Sequence, residues 1–118
     1  MRAYVIREDG TRGVLEIGHG DTDEGAPLAE IIGCDLFDMP RRTVGGRTYT
    51  MVVDDEGLLK ERSTVAVWVR GLRAVETLVG DMLIMGAPRT DGWCTGLTDE
   101  DVENIEAHIK GGVLVYGE

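Results

Sequence analysis

Short apolar runs separated by glycine and aspartate punctuate this chain. Ala3-Tyr4-Val5-Ile6-Arg7 and Gly13-Val14-Leu15-Glu16-Ile17 are strand-length stretches on either side of Asp9-Gly10, a turn signal, so the spacing predicts an N-terminal hairpin. Gly18 to Gly25 mixes Gly, Asp, Thr and Glu without periodicity and reads as a loop. Pro27 suits a first helical position, Leu28, Ile31 and Ile32 share one face, and Gly33 can end the turn, which predicts a short helix. Leu36, Phe37 and Met39 suggest a strand ending near Pro40. Arg41-Arg42 and Gly45-Gly46 then lead into the alternating Thr48 to Val53, a second hairpin, with Asp54 to Gly57 as its closing turn.

Thr64 to Arg70 reads two ways. Val65, Val67 and Val69 alternate as in a strand, yet Ala66 and Trp68 are apolar too, as in a buried helical turn. Met82-Leu83-Ile84-Met85 is a buried strand between Gly80-Asp81 and Gly86. The clearest helix starts at Thr98, an N-cap with acidic Asp101 in an approximate capping box, and places Val102, Ile105 and Ile109 on one stripe before Gly111-Gly112 ends it. Val113 to Tyr116 is a last strand. The expected fold is α+β over a single domain, residues 1–118, with a small, largely antiparallel sheet of about five or six short strands and two helices packed on it.

Charge changes the picture of partners. Twenty-two carboxylates against twelve Lys and Arg leave the 118 residues at a formal net charge of −10. That excess repels phosphate, so direct binding to nucleic acid or to an anionic membrane is not expected. Residues 1–60 hold twelve acids and seven bases and residues 61–118 hold ten and five, so the charge is spread over the fold and is no acidic tail. With 42% hydrophobic residues the chain has the means to fold, and its six aromatics leave the core to Val, Ile, Leu and Met. No apolar run approaches a membrane span, and Arg2, Arg7, Glu8, Asp9 and Arg12 break up the start of the chain, so a cytoplasmic location is expected.

Candidate chemistry is thin. His19, Asp21, Asp23 and Glu24 could gather a cation, but their spacing matches no calcium loop, and a solvated acidic loop is the favoured reading. Cys34, Cys94, His19 and His108 would make a zinc site only from four distant ligands without one paired spacing, and the two cysteines read as free, partly buried thiols. Ser63 lies outside any nucleophile elbow, and Gly18-His19-Gly20 is half a dinucleotide fingerprint with Asp23 at the third glycine's place. No catalytic residue, cofactor or metal ligand is assigned.

At the level of ordered segments the chain resembles the family catalogued as domain of unknown function 3846. Met1 to Ile6, Ile31-Ile32-Gly33, Val53 to Lys60, Leu78 to Gly86 and Leu97 to Asp101 carry the likeness over most of the length. Similar proteins have an Asn-x-x-Ala segment after the acidic turn and its lysine; here Ser63 stands where that Asn would precede Ala66. The resemblance implies a short turn or helical piece near Thr64 to Arg70, and an accessory protein of a phage or mobile element in a bacterial cytoplasm. It carries over no activity, cofactor or catalytic residue.

The functional expectation is a non-enzymatic protein-interaction module whose negative surface steers a basic protein partner. Its candidate surface is the stripe Asp99, Glu103 and Glu106, which helical spacing turns outward when Val102, Ile105 and Ile109 face the core. One alternative is an acidic DNA-mimic inhibitor of a host defence or DNA-processing enzyme. Another is a small-molecule or metal-binding protein with a pocket around Cys34, Cys94, Trp93 and the Gly18 to Gly25 loop.

Overall fold

A computed structural model of the protein describes residues 2–17, 31–33, 37–55, 63–87 and 94–117. The strands are β1 (Arg2–Ile6), β2 (Arg12–Glu16), β3 (Phe37–Asp38), β4 (Arg41–Val44), β5 (Arg47–Asp54), β6 (Thr64–Arg70), β7 (Arg73–Val79), β8 (Met82–Met85), β9 (Ile109–Lys110) and β10 (Val113–Gly117). The helix α1 (Asp99–Ala107) precedes β9.

These strands form two sheets. The first is wholly antiparallel in the order β2-β1-β8-β5-β3, with β4 continuing beside β5 after Pro40. The second runs β7-β6-β10-β9, antiparallel except for the parallel pair β6 and β10. The fold is therefore mostly β, which corrects the α+β expectation of one sheet carrying two helices. The helix expected after Pro27 lies outside the described residues apart from Ile31 and Ile32, whose backbone is helical.

The first sheet is covered on both faces. Tyr4, Ile6, Tyr49, Met51, Met82 and Ile84 point to the second sheet and α1, where they meet Ala66, Ile105, Leu114 and Tyr116. Ala3, Val5, Val52, Leu83 and Met85 point the other way and pack with Ile17, Ile32 and Cys94. A strand buried on both faces loses its polar alternation, which is why Met82 to Met85 is an unbroken apolar run. Each such side chain contributes about 1.5–3 kcal/mol by leaving water.

Thr64 to Arg70 is a strand, not the short helical piece that the resemblance implied. Pairing passes from Thr64↔Val79 directly to Ala66↔Leu78, so Val65 is an extra residue and side-chain direction shifts there. Val65 and Ala66 are consequently both buried. The strand's partner, β7, was not anticipated: Arg70 and Arg73 pair across Gly71-Leu72, with Gly71 at φ 63° supplying the turn. At the other end of the chain the helix stops two residues earlier than its apolar stripe suggested. His108 caps it, Ile109 sits on β9, and Gly111-Gly112, both at positive φ, turn β9 into β10.

Candidate functional site

Helix α1 presents the predicted acidic stripe, and three inward contacts fix its rotation. Thr98 Oγ1 accepts from the Asp101 backbone N–H at 3.1 Å while Asp101 Oδ2 accepts from the Thr98 N–H at 2.9 Å, a reciprocal cap. Asp101 Oδ1 also accepts from Arg47 at 2.9 Å and from the Tyr49 hydroxyl at 3.1 Å. One turn on, the Asn104 amide donates to the Val44 carbonyl at 2.8 Å and to the Tyr49 oxygen at 3.0 Å, and Ile105 is fully buried. Burial works to raise the Asp101 pKa, but the bonds from Thr98, Arg47 and Tyr49 outweigh it and hold the carboxyl below its ordinary value.

With that face committed, Asp99, Glu103 and Glu106 are all exposed. They are not equivalent. Asp99 forms an ion pair with Arg2 at the start of β1, yet its side chain stays 90% exposed. Glu106 accepts a hydrogen bond of 3.2 Å from Tyr4, whose own pKa is raised by burial and then by the Glu106 charge. Glu103 makes neither a hydrogen bond nor an ion pair among the described residues. Val102 is half-buried, and Ile109, expected on the same stripe, belongs to β9 instead.

Sequence reasoning missed what lies opposite the stripe. Arg2, Val14 and Glu16 face Asp99, Val102 and Glu103 across an open groove of ≈ 510 Å³. β2, which supplies Val14 and Glu16, is an edge of the first sheet, and Val14 is 51% exposed. The pairing Tyr4↔Val14 and the Asp99–Arg2 contact set this edge beside the helix. The groove thus joins two apolar side chains, three carboxylates and one guanidinium.

A second polar cluster was equally hidden because it depends on β7. Arg42 holds both oxygens of Glu76, Nε to Oε1 at 2.8 Å and a terminal nitrogen to Oε2 at 2.9 Å, and the Tyr116 hydroxyl donates to Oε1 at 2.6 Å. The Arg42 bond, opposed by burial and supported by Tyr116, keeps Glu76 below the usual carboxylate range. Burial and then the Glu76 charge push the Tyr116 phenol well up. The two Arg42–Glu76 bonds tie the first sheet to the second, and the Tyr116 bond holds the carboxylate in place from within the second.

Among the described residues the other candidate chemistry does not converge. Cys94 is a free thiol, buried in the core under the first sheet. His108 has its Nδ1 2.7 Å from the Asn104 carbonyl oxygen at the end of α1. Ser63 is exposed, with its backbone N–H bonded to Glu8 at 3.1 Å. His19, Asp21, Asp23, Glu24, Cys34, Trp93 and the Gly18 to Gly25 loop lie outside the described residues. Among the described residues no three of His, Cys, Asp and Glu gather to hold a metal ion, and no helix is long and apolar enough to cross a membrane.

No curated protein and no solved structure matches the chain. The family model described as "Domain of unknown function (DUF3846)" does, over residues 1–110. That span takes in the hairpin β1–β2, the central sheet and the whole of α1, so the groove between β2 and α1 lies within it. The chain belongs to the domain of unknown function 3846 family.

Proposed function

We propose that this chain is a non-enzymatic protein-binding module, an accessory protein of a phage or mobile element, that receives a basic segment of a partner in the groove between β2 and α1. The observation that carries the reading is the lining of that groove: exposed Val14 and half-buried Val102 sit among Glu16, Asp99 and Glu103. Apolar side chains give a partner area to cover, and the carboxylates select lysine or arginine around it. A net charge of −10 adds long-range attraction for the same partner and turns polyanions away.

The DNA-mimic reading receives less support from the helix, because its acids are not a free row. Asp99 is paired with Arg2, and Glu100 and Asp101 with Arg47.

Affinity capture from a bacterial host lysate, with the wild-type chain beside Val14→Glu and Glu103→Lys variants of equal thermal stability, tests the proposal. The expected result is a captured protein whose contact surface is basic and whose yield drops with both variants. Capture that ignores both variants would move the interface away from this groove.

A further inference from the structure

A departure from the chain's acidity lies on another face. Where β4 of the first sheet approaches β6 and β10 of the second, an open groove of ≈ 480 Å³ is lined by Arg41, Arg42, Thr43, Trp68, Tyr116 and Gly117. That volume falls within the roughly 300–1,000 Å³ of small-ligand sites. In a chain of net charge −10, the described residues of this lining bring two guanidinium groups and no carboxylate.

Its charges are unequally committed. Arg42 is spent on Glu76, whose second partner is Tyr116, so that carboxylate is turned to the wall and satisfied there. The Arg41 side chain, exposed at the rim, makes no hydrogen bond or ion pair among the described residues. A third cation stands close by, with the Arg70 guanidinium carbon 5.7 Å from the centre of the Trp68 ring. Gly117 completes the surface: a Cβ there would collide with the Trp68 indole, so only glycine lets β10 lie against the ring.

We propose that this groove binds a small organic oxyanion carrying a flat ring, an aryl or nucleoside phosphate or carboxylate. The planar Arg41 fork receives two oxygens of the anion, and the ring lies against Trp68 with Arg70 lending a cation beside the aromatic pair. The site shares no residue with the groove between β2 and α1, so it stands or falls separately from the protein-binding proposal.

Tryptophan fluorescence in a Trp93→Phe background, where Trp68 is the remaining indole, reads the site directly. Phenyl phosphate, adenosine 5′-monophosphate and inorganic phosphate are the probes. Saturable quenching by a ring-bearing phosphate, with inorganic phosphate weaker by about tenfold or more, is the expected result. Binding of phenyl phosphate alone identifies an aryl acid as the ligand type, and binding of adenosine 5′-monophosphate identifies a nucleotide. Arg41→Gln should weaken the bound probe by about tenfold while the thermal midpoint stays put, since the Arg41 side chain has no partner among the described residues to lose. Calorimetry on the unmodified chain repeats the comparison without the Trp93 change. Absence of saturable binding by both ring-bearing probes at about 10 mM, equal affinity for inorganic phosphate, or unchanged affinity in Arg41→Gln would each overturn the proposal.

Discussion

Gly45 passes directly beneath the side chain of Asn104, close enough that a Cβ at Gly45 would collide with the amide. The same amide is tied to Val44 and Tyr49, so the β4–β5 turn and α1 hold each other in place. Gly45 has φ 56° and Gly46 has φ 82°, but nothing lies within 4 Å of a Cβ at Gly46. The two glycines therefore separate backbone strain from collision. Gly46→Ala should cost about 1–2 kcal/mol of unfolding free energy, the price of a left-handed alanine. Gly45→Ala should cost distinctly more, because the Asn104 bonds are lost as well. Urea denaturation of both variants makes the comparison, and equal losses would show that the helix does not depend on this contact.

Ile105 is the apolar anchor of α1, and Glu103 contributes nothing comparable to stability. Ile105→Ala should destabilise by about 2–5 kcal/mol through lost burial and the cavity left behind. Ile105→Asp should abolish folding by placing an unpaired charge in the core. Glu103→Gln should stay within about 0.5 kcal/mol of wild type. Thermal and chemical denaturation of the three would place them in that order.

Stability should fall at both ends of the pH scale, at the acid end through one carboxylate in each of two clusters and at the alkaline end through a phenol. Glu76 and Asp101 have depressed pKa values in the folded chain, so their contribution is present above the ordinary carboxylate pKa and is lost as pH falls through the folded values. Tyr116 is shifted the other way, so its contribution is intact below the unfolded phenol pKa and declines as pH rises beyond it. Glu76→Gln should flatten the acid limb and Tyr116→Phe the alkaline limb of a stability profile measured by denaturant titration. An alkaline limb unchanged in Tyr116→Phe would mean another group titrates there.

Local chemistry was legible in the sequence where one residue type has one job. Gly45-Gly46 signalled the β4–β5 turn, Thr98 and Asp101 the helix start, and Met82 to Met85 a buried strand. Helical spacing also placed Asp99, Glu103 and Glu106 on the exposed side. The rest required tertiary pairing. The extra residue Val65 lets successive apolar residues, Val65 and Ala66, both enter the core, so β6 has no polar alternate positions to mark it, and β7 leaves Arg73, Ala74, Val75 and Thr77 exposed with little of its length committed to the core. Ile109 continues a helical spacing by coincidence, since Gly111-Gly112 is a hairpin turn rather than a helix stop. Arg2 and Val14 across the groove, and Glu76 beside Arg42, could not be paired with their partners before the sheet order was known.

The groove between β2 and α1 is most directly tested by a backbone NMR titration of the folded chain with a short probe peptide that alternates arginine and valine. The amides of Val14, Val102 and Glu103 should shift together and saturate, the affinity should fall as salt rises, and Glu103→Gln with Glu106→Gln should weaken binding and flatten that salt dependence without changing the fold. Shifts confined to other surfaces, or binding indifferent to both substitutions, would contradict the account and leave the acidity to solubility alone.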